Sequence, residues 1–225
     1  MNTLTLIWKT RSLRNKIFAV IGLLLLTRIL AHVPIPGVEV SGLRNFFENS
    51  QFLSLLNIFS GGGLTNFSIA MLGVGPYITA SIIMQLLVLV IPSLTEMQKE
   101  GGEAGRATIN RYTRWLTLPL AVLQGFSTIR LIQAQASQGG LDILGSFTPF
   151  TWFVVLLSVT AGTMLVMWIG ELITEHGIGN GVSLIIFAGI VSQLPRAVQS
   201  FVQLYDPSKL PTMIAFLGTG LVVIA

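Results

Sequence analysis

Long apolar blocks restrict this chain more than any other feature. Six of them occupy residues 17–33, 69–91, 115–132, 150–170, 181–204 and 211–225. A helix needs about 20 apolar residues to cross the hydrocarbon core of a bilayer, with a range of roughly 17–25. The first five blocks meet that length. Within lipid every backbone polar group needs an internal partner, so continuous apolar runs of this size select helices. Charged residues make up 10% of the chain, against roughly 25% in a soluble domain. A soluble fold could not wet its surface with so few. The expected class is therefore all-α integral membrane, a polytopic helix bundle. Block 211–225 is short of a span and has no polar flank after it. It reads as the truncated start of a sixth spanning helix, with 1–204 as the preceding body.

Loop charge predicts the topology. Residues 1–16 carry Lys9, Arg11, Arg14 and Lys16 and no acid, and loop 92–114 carries Lys99, Arg106, Arg111 and Arg114. The opposite loops contribute only Arg44 and Lys209. Basic loops stay cytoplasmic, which places the N-terminus inside. Loop 171–180 falls on the same side without a basic residue and dissents mildly. Arg28, Arg130 and Arg196 then lie in the outer parts of their helices, where long side chains reach the interface.

Three segments depart from a plain bundle. Segment 52–68, FLSLLNIFSGGGLTNFS, is apolar but broken by three consecutive glycines. It either re-enters the membrane, where surrounding protein must shield such backbone, or lies on the outer surface. Block 69–91 is uncharged and holds Gly73, Gly75 and Pro76 early on. Val74 and Ile78 are four apart and share a helix face there. Gln85 is its one strong hydrogen-bonding group on the later turns, as interhelical glue or as part of an opening seam. The stretch 168–187 alternates Gly177, Gly179 and Gly181, which predicts a helix stop, a turn and a new start. Ile186 and Ile190 share a face of that new helix, and Glu171 and Glu175 share one of the helix before it.

No reaction chemistry is visible. The chain has no cysteine, which excludes thiolate metal sites, disulfides and cysteine nucleophiles. His32 and His176 fall at opposite membrane faces, so they cannot share a metal. No catalytic residue, cofactor or metal is expected, and the chain is not read as an enzyme. The basic balance belongs to the loops, so no nucleic-acid partner is expected. No span holds a carboxylate in its central part, which is awkward for an ion-coupled carrier.

The motifs GELITEHGIGNGVSLIIFAGIV at 170–191, LGVGPYITASIIMQLL at 72–87, PIPGV at 34–38 and KEGGEAGRATINRYTRW at 99–115 resemble the N-terminal half of the SecY family. Members of that family are channel subunits of the bacterial protein translocase. The resemblance runs along nearly the whole chain. It implies ten spanning helices in two inverted halves around a pore, of which this chain supplies five and the start of a sixth. Segment 52–68, with Ile58, Phe59, Gly61, Gly62, Gly63, Leu64, Thr65 and Asn66, falls at the family's plug. Val74, Ile78, Ile186 and Ile190 fall at its hydrophobic pore ring; Val74 stands where isoleucine is commoner. Blocks 69–91 and 115–132 fall at one side of the lateral gate, with Ser81, Gln85 and Gln124. Lys99, Arg106 and Arg111 fall where cytoplasmic partners bind. The implied partners are SecE, SecG, the SecA ATPase, the ribosome, signal sequences, unfolded preproteins and membrane lipids. The implied place is the bacterial cytoplasmic membrane. A small-solute or ion transporter with broken helices is the alternative class; it calls for a midplane charge or an unwound coordinating segment.

Overall fold

The computed structural model describes residues 11–35, 57, 60, 62–138, 148–177, 179–193, 195 and 199. Ile58, Phe59, Gly61, Arg196 and block 211–225 lie outside the described residues. Met1–Ile190 form one compact unit and Val191–Ala225 a second. Among the described residues six helices follow in order: α1 (Arg11–Leu30), α2 (Gly75–Val90), α3 (Pro92–Glu100), α4 (Gly102–Gln138), α5 (Pro149–Glu175) and α6 (Gly181–Val191).

The packing is organised around α5. Thr148 starts it: its hydroxyl accepts the backbone N–H of Thr151 at 3.2 Å, and Pro149 takes the first turn, where it has no hydrogen bond to lose. Val155, Val159, Val166, Ile169 and Ile173 are buried along its length at the three-, four- and seven-residue spacings of a helix stripe. Antiparallel to it runs α4, with Ile129 and Ile132 against Val155 and Val159 at one end and Arg114 on Glu171 at the other. On a further side Val20 of α1 packs with Ile169 and Ile173. Among the described residues α4 and α5 are long and apolar enough to cross a membrane, and the bent pair α2–α3 makes a third candidate. Leu89, Val90, Trp115 and Phe150 are each more than 70% exposed, a surface suited to lipid and costly in water.

Four sequence expectations need correcting. The helix expected over 69–91 begins only at Gly75. Val74 therefore stands just before the first turn, with Pro76 inside it, and residues 69–74 are turns. The basic segment 92–114, expected as a loop, is mostly helical: α3 and the first turns of α4 fill it. Its charge density reflects exposure, not lack of structure. The break is confined to Ile91, whose extended backbone (φ −98°, ψ 111°) is what a following proline demands. Across it the axis turns by 101°. Thr95 then satisfies the Val88 carbonyl, whose helical partner would be the N–H that Pro92 lacks, by donating its hydroxyl to it. Third, α1 already includes Arg11, Arg14 and Lys16, so that part of the basic flank of block 17–33 is itself helical. Fourth, α6 ends at Val191 and turns follow at 192–193; in the rest of block 181–204 only residues 195 and 199 are described, both helical.

Between α1 and α2 the chain does something no helix does. Residues 62–74 run as turns through the interior, with Ser68 paired to Pro34 in a single antiparallel bridge. Leu64, Phe67, Met71 and Val74 are each no more than 6% exposed. The segment is stitched to the end of α1 by two backbone bonds, Ile35 N–H to the Phe67 carbonyl (3.0 Å) and Ile69 N–H to the Val33 carbonyl (3.1 Å). It lies directly on Gly162, the middle residue of α5, where a Cβ would come within 2.0 Å of the Ile69 carbonyl oxygen.

Candidate functional site

The site is a constriction of branched aliphatic side chains between two cavities. Ala70, Val74 and Val166 are buried together, and Ile78, Ile185 and Ile186 pack against them. Each element delivers its residue for a local reason. Val74 and Ile78 are joined through the first turn of α2, where Ile78 N–H donates to the Val74 carbonyl at 3.0 Å. Ile186 comes from α6, which is folded back on α5 by the glycine turn. Gly177 and Gly179 both have positive φ, +73° and +146°, values costly to other residues. Gly181 then sits so close to α5 that a Cβ would be 1.8 Å from the Gly170 carbonyl oxygen. The Gly181 N–H donates to the Thr174 hydroxyl at 2.8 Å, and the Asn180 side chain accepts from Ser183 N–H at 3.2 Å.

On one side of the constriction lies a cavity of about 510 Å³. Ile78, Val182 and Ile186 form its apolar wall, and Gln85, Arg114, Glu171 and Glu175 are among its polar lining. On the other side is a crevice of about 40 Å³, bordered by Val74 and Ile186 together with Arg28, Ala31, Ala70 and Gly189. Ile186 faces both. The first cavity lies at the end of the bundle where α1 begins and α5 finishes. The crevice lies toward the end where α1 finishes.

The sequence-predicted residues are not all brought together. Val74, Ile78 and Ile186 meet. Ile190 is 41% exposed and stands outside that cluster. Gly62, Gly63, Leu64, Thr65 and Asn66 belong to the interior turns, and Asn66 donates its side-chain amide to the Ala31 carbonyl at 3.3 Å. Ser81 and Gln85 line the large cavity and bond each other along α2 at 3.4 Å. Gln124 belongs elsewhere: from α4 it donates to the Thr79 hydroxyl at 3.2 Å, tying α4 to the first turns of α2. Lys99, Arg106 and Arg111 are all exposed on α3 and α4.

Sequence reasoning missed two polar contacts of the site. Arg114 was counted as a loop charge and Glu171 as one of a face of acids. Their side chains meet at 2.6 Å, Nε to Oε1, at the mouth of the large cavity. Arg28 was read as reaching the interface; its guanidinium instead donates to the Ala188 carbonyl in α6. Neither pairing has a spacing signal, because the partners lie far apart in the chain. Arg130 stacks on aromatic rings, 4.9 Å from that of Trp152 and 5.4 Å from that of Phe126.

Comparison with known proteins gives one answer. The SecY family model matches residues 68–225. The chain is 46% identical over 202 residues to protein translocase subunit SecY of Corynebacterium glutamicum, covering 87% of this chain and 46% of that protein. Against the protein of the same name from Mycobacterium tuberculosis the identity is 44% over 207 residues, with 87% and 46% covered. For that of Aquifex aeolicus it is 43% over 206 residues, with 90% and 47% covered. The chain thus spans about half the length of the curated relatives it matches. With its apolar helices, these likenesses make it a membrane protein, and on the family model and the relatives alike the chain belongs to the SecY family.

Proposed function

We propose that this chain forms part of the central pore subunit of a protein-conducting channel, which moves unfolded secretory polypeptides across the bacterial cytoplasmic membrane and releases membrane segments sideways into lipid. The N-terminus and the large cavity face the cytoplasm. Val74, Ile78 and Ile186 are the pore ring, with Ile190 joining from the next turn of α6. The turns at 62–68 belong to the plug, and Ser81, Gln85 and Gln124 lie along the gate. SecE and SecG are the companion subunits. SecA or a ribosome docks over Lys99, Arg106 and Arg111 and supplies the energy, and signal sequences open the gate.

The observation that carries this reading is the aliphatic constriction between a polar cavity and a narrow crevice. Such a ring expels water when closed and so opposes ions steeply. When open, the same side chains pack around any passing sequence, because apolar contact has no direction. Charged ring residues would hold some segments too tightly. The chain has no native cysteine, which makes the test direct. In the assembled channel, Ile78→Cys or Ile186→Cys is combined with a secretory precursor carrying one cysteine and stalled midway. Oxidation should cross-link both ring positions to the precursor and spare Leu89→Cys, which is 80% exposed on the outside of α2. No ring cross-link while export proceeds would place the polypeptide path elsewhere.

A further inference from the structure

Arg28 stands half-buried in the last turn of α1. Its guanidinium donates to the carbonyl of Ala188, in the last turn of α6. The same side chain borders the crevice that Val74 and Ile186 also border. The start of α6 is held separately, by the Gly181–Thr174 bond and by the close seat of Gly181 on Gly170. Ile186 lies between these two anchors, two residues before Ala188.

The energetics favour this contact as a strong one. Carbonyls in the last turn of a helix carry partial negative charge, and a cation there is stabilising. A charged donor makes a hydrogen bond roughly twice as strong as a neutral one, and low local dielectric strengthens it further. We propose that Arg28 is a positioning residue for the constriction: by clamping the outer end of α6 it keeps Ile186 against Val74 in the resting state. The proposal rests on the channel reading of the constriction. Its consequence is a shift in population. Without the clamp, the closed arrangement loses an interaction that the open one need not keep.

The test uses the assembled channel in planar bilayers, with no translocating substrate, and reads idle ion conductance. Arg28→Ala should raise it about tenfold, the factor that 1.4 kcal/mol of lost closed-state preference produces. Arg28→Lys, which keeps a cation at the helix end, should leak less than Arg28→Ala. Should Arg28→Ala fail to assemble, Arg28→Gln replaces it with the same expectation. A second measurement separates positioning from general loosening. Val74→Cys with Ile186→Cys, oxidised in the Arg28→Ala background, should return conductance toward the wild-type level. Wild-type idle conductance in Arg28→Ala, or a leak that survives that oxidation, overturns the proposal. Ile78→Ser runs in parallel. If it leaks and Arg28→Ala does not, the Arg28 assignment alone fails; if neither leaks, the channel reading fails and takes the assignment with it.

Discussion

The turns at 62–74 and one face of helix α5 lie buried against each other, yet the two are held in opposite ways. Within α5 each interior N–H finds its carbonyl four residues back, so the element carries its own hydrogen bonds into the membrane. The turns have no such ladder: they make scattered short-range bonds, such as Phe67 N–H to Leu64 and Met71 N–H to Ser68, lean on the Ser60 and Asn57 side chains, and tie to Val33 and Ile35 by two more. Phe67 even adopts a positive φ, 43°, uncommon for a bulky residue. Among the described residues three buried hydroxyls lack a hydrogen-bond partner, those of Thr65, Ser68 and Thr163. Two are in the turns and the third is on α5 beside Gly162. A segment that depends on its neighbours for partners opens more cheaply than one that does not. The pairing of a self-sufficient helix with a dependent one is thus a fixed wall beside a releasable part.

Three substitutions test that contrast. The largest effect belongs to Phe67→Ala. Phe67 is fully buried among Met71, Ile129 and Val155, and its truncation should cost about 3–5 kcal/mol. The thermal unfolding midpoint of the detergent-solubilised channel should fall, and proteolysis near residue 64 should quicken. An unchanged midpoint would mean that the turns contribute nothing to the fold. Next comes Gly162→Ala, which puts a methyl group on the Ile69 carbonyl. Overpacking of this kind costs roughly 1–3 kcal/mol, and here it should displace the turns while leaving α5 helical. Circular dichroism with the full helical signal but a lowered midpoint would bear this out, whereas lost helicity would show that α5 is the weaker partner. The smallest effect has the opposite sign. Ser68→Ala removes a buried hydroxyl without a partner, whose burial costs about 1–3 kcal/mol. A midpoint raised by a degree or more is expected, and a lowered one would reveal a partner for that hydroxyl.

The sequence was informative about the regular elements and silent about the exceptions to them. The apolar stripes of α4 and α5 were legible because burial and helical period coincide there. Val74, Ile78 and Ile186 could be placed by spacing within one helix each, but nothing in the chain says that two helices bring those faces together. The late start of α2 was missed because residues 69–74 are as apolar as a span. Burial selects for apolar side chains whatever the backbone does, so hydropathy cannot tell turns from helix inside protein. The glycines were the better guide: Gly73, with φ +54°, marks where the turns end. Ile190 lies outside the buried cluster, since sharing a helix face fixes direction and not depth. Arg28 and Arg114 were read from the chemistry of isolated arginines, when tertiary contact decided both.

The bend at Ile91 has a mechanical side. Beyond it α3 projects nearly at a right angle to α2, and nine helical residues extend about 13 Å at 1.5 Å each. It is a crank with its bend at Ile91, its handle the exposed Lys99 and its shaft the helix α2, which begins just after Val74. A swing of the handle through about 10° displaces its tip by roughly 2 Å on that arm. The arm is seated on α4 at Gly105, where a Cβ would fall 1.9 Å from the Met97 carbonyl oxygen. A push on Lys99 would reach α2 through Ile91 and through the Thr95 hydroxyl bond to the Val88 carbonyl.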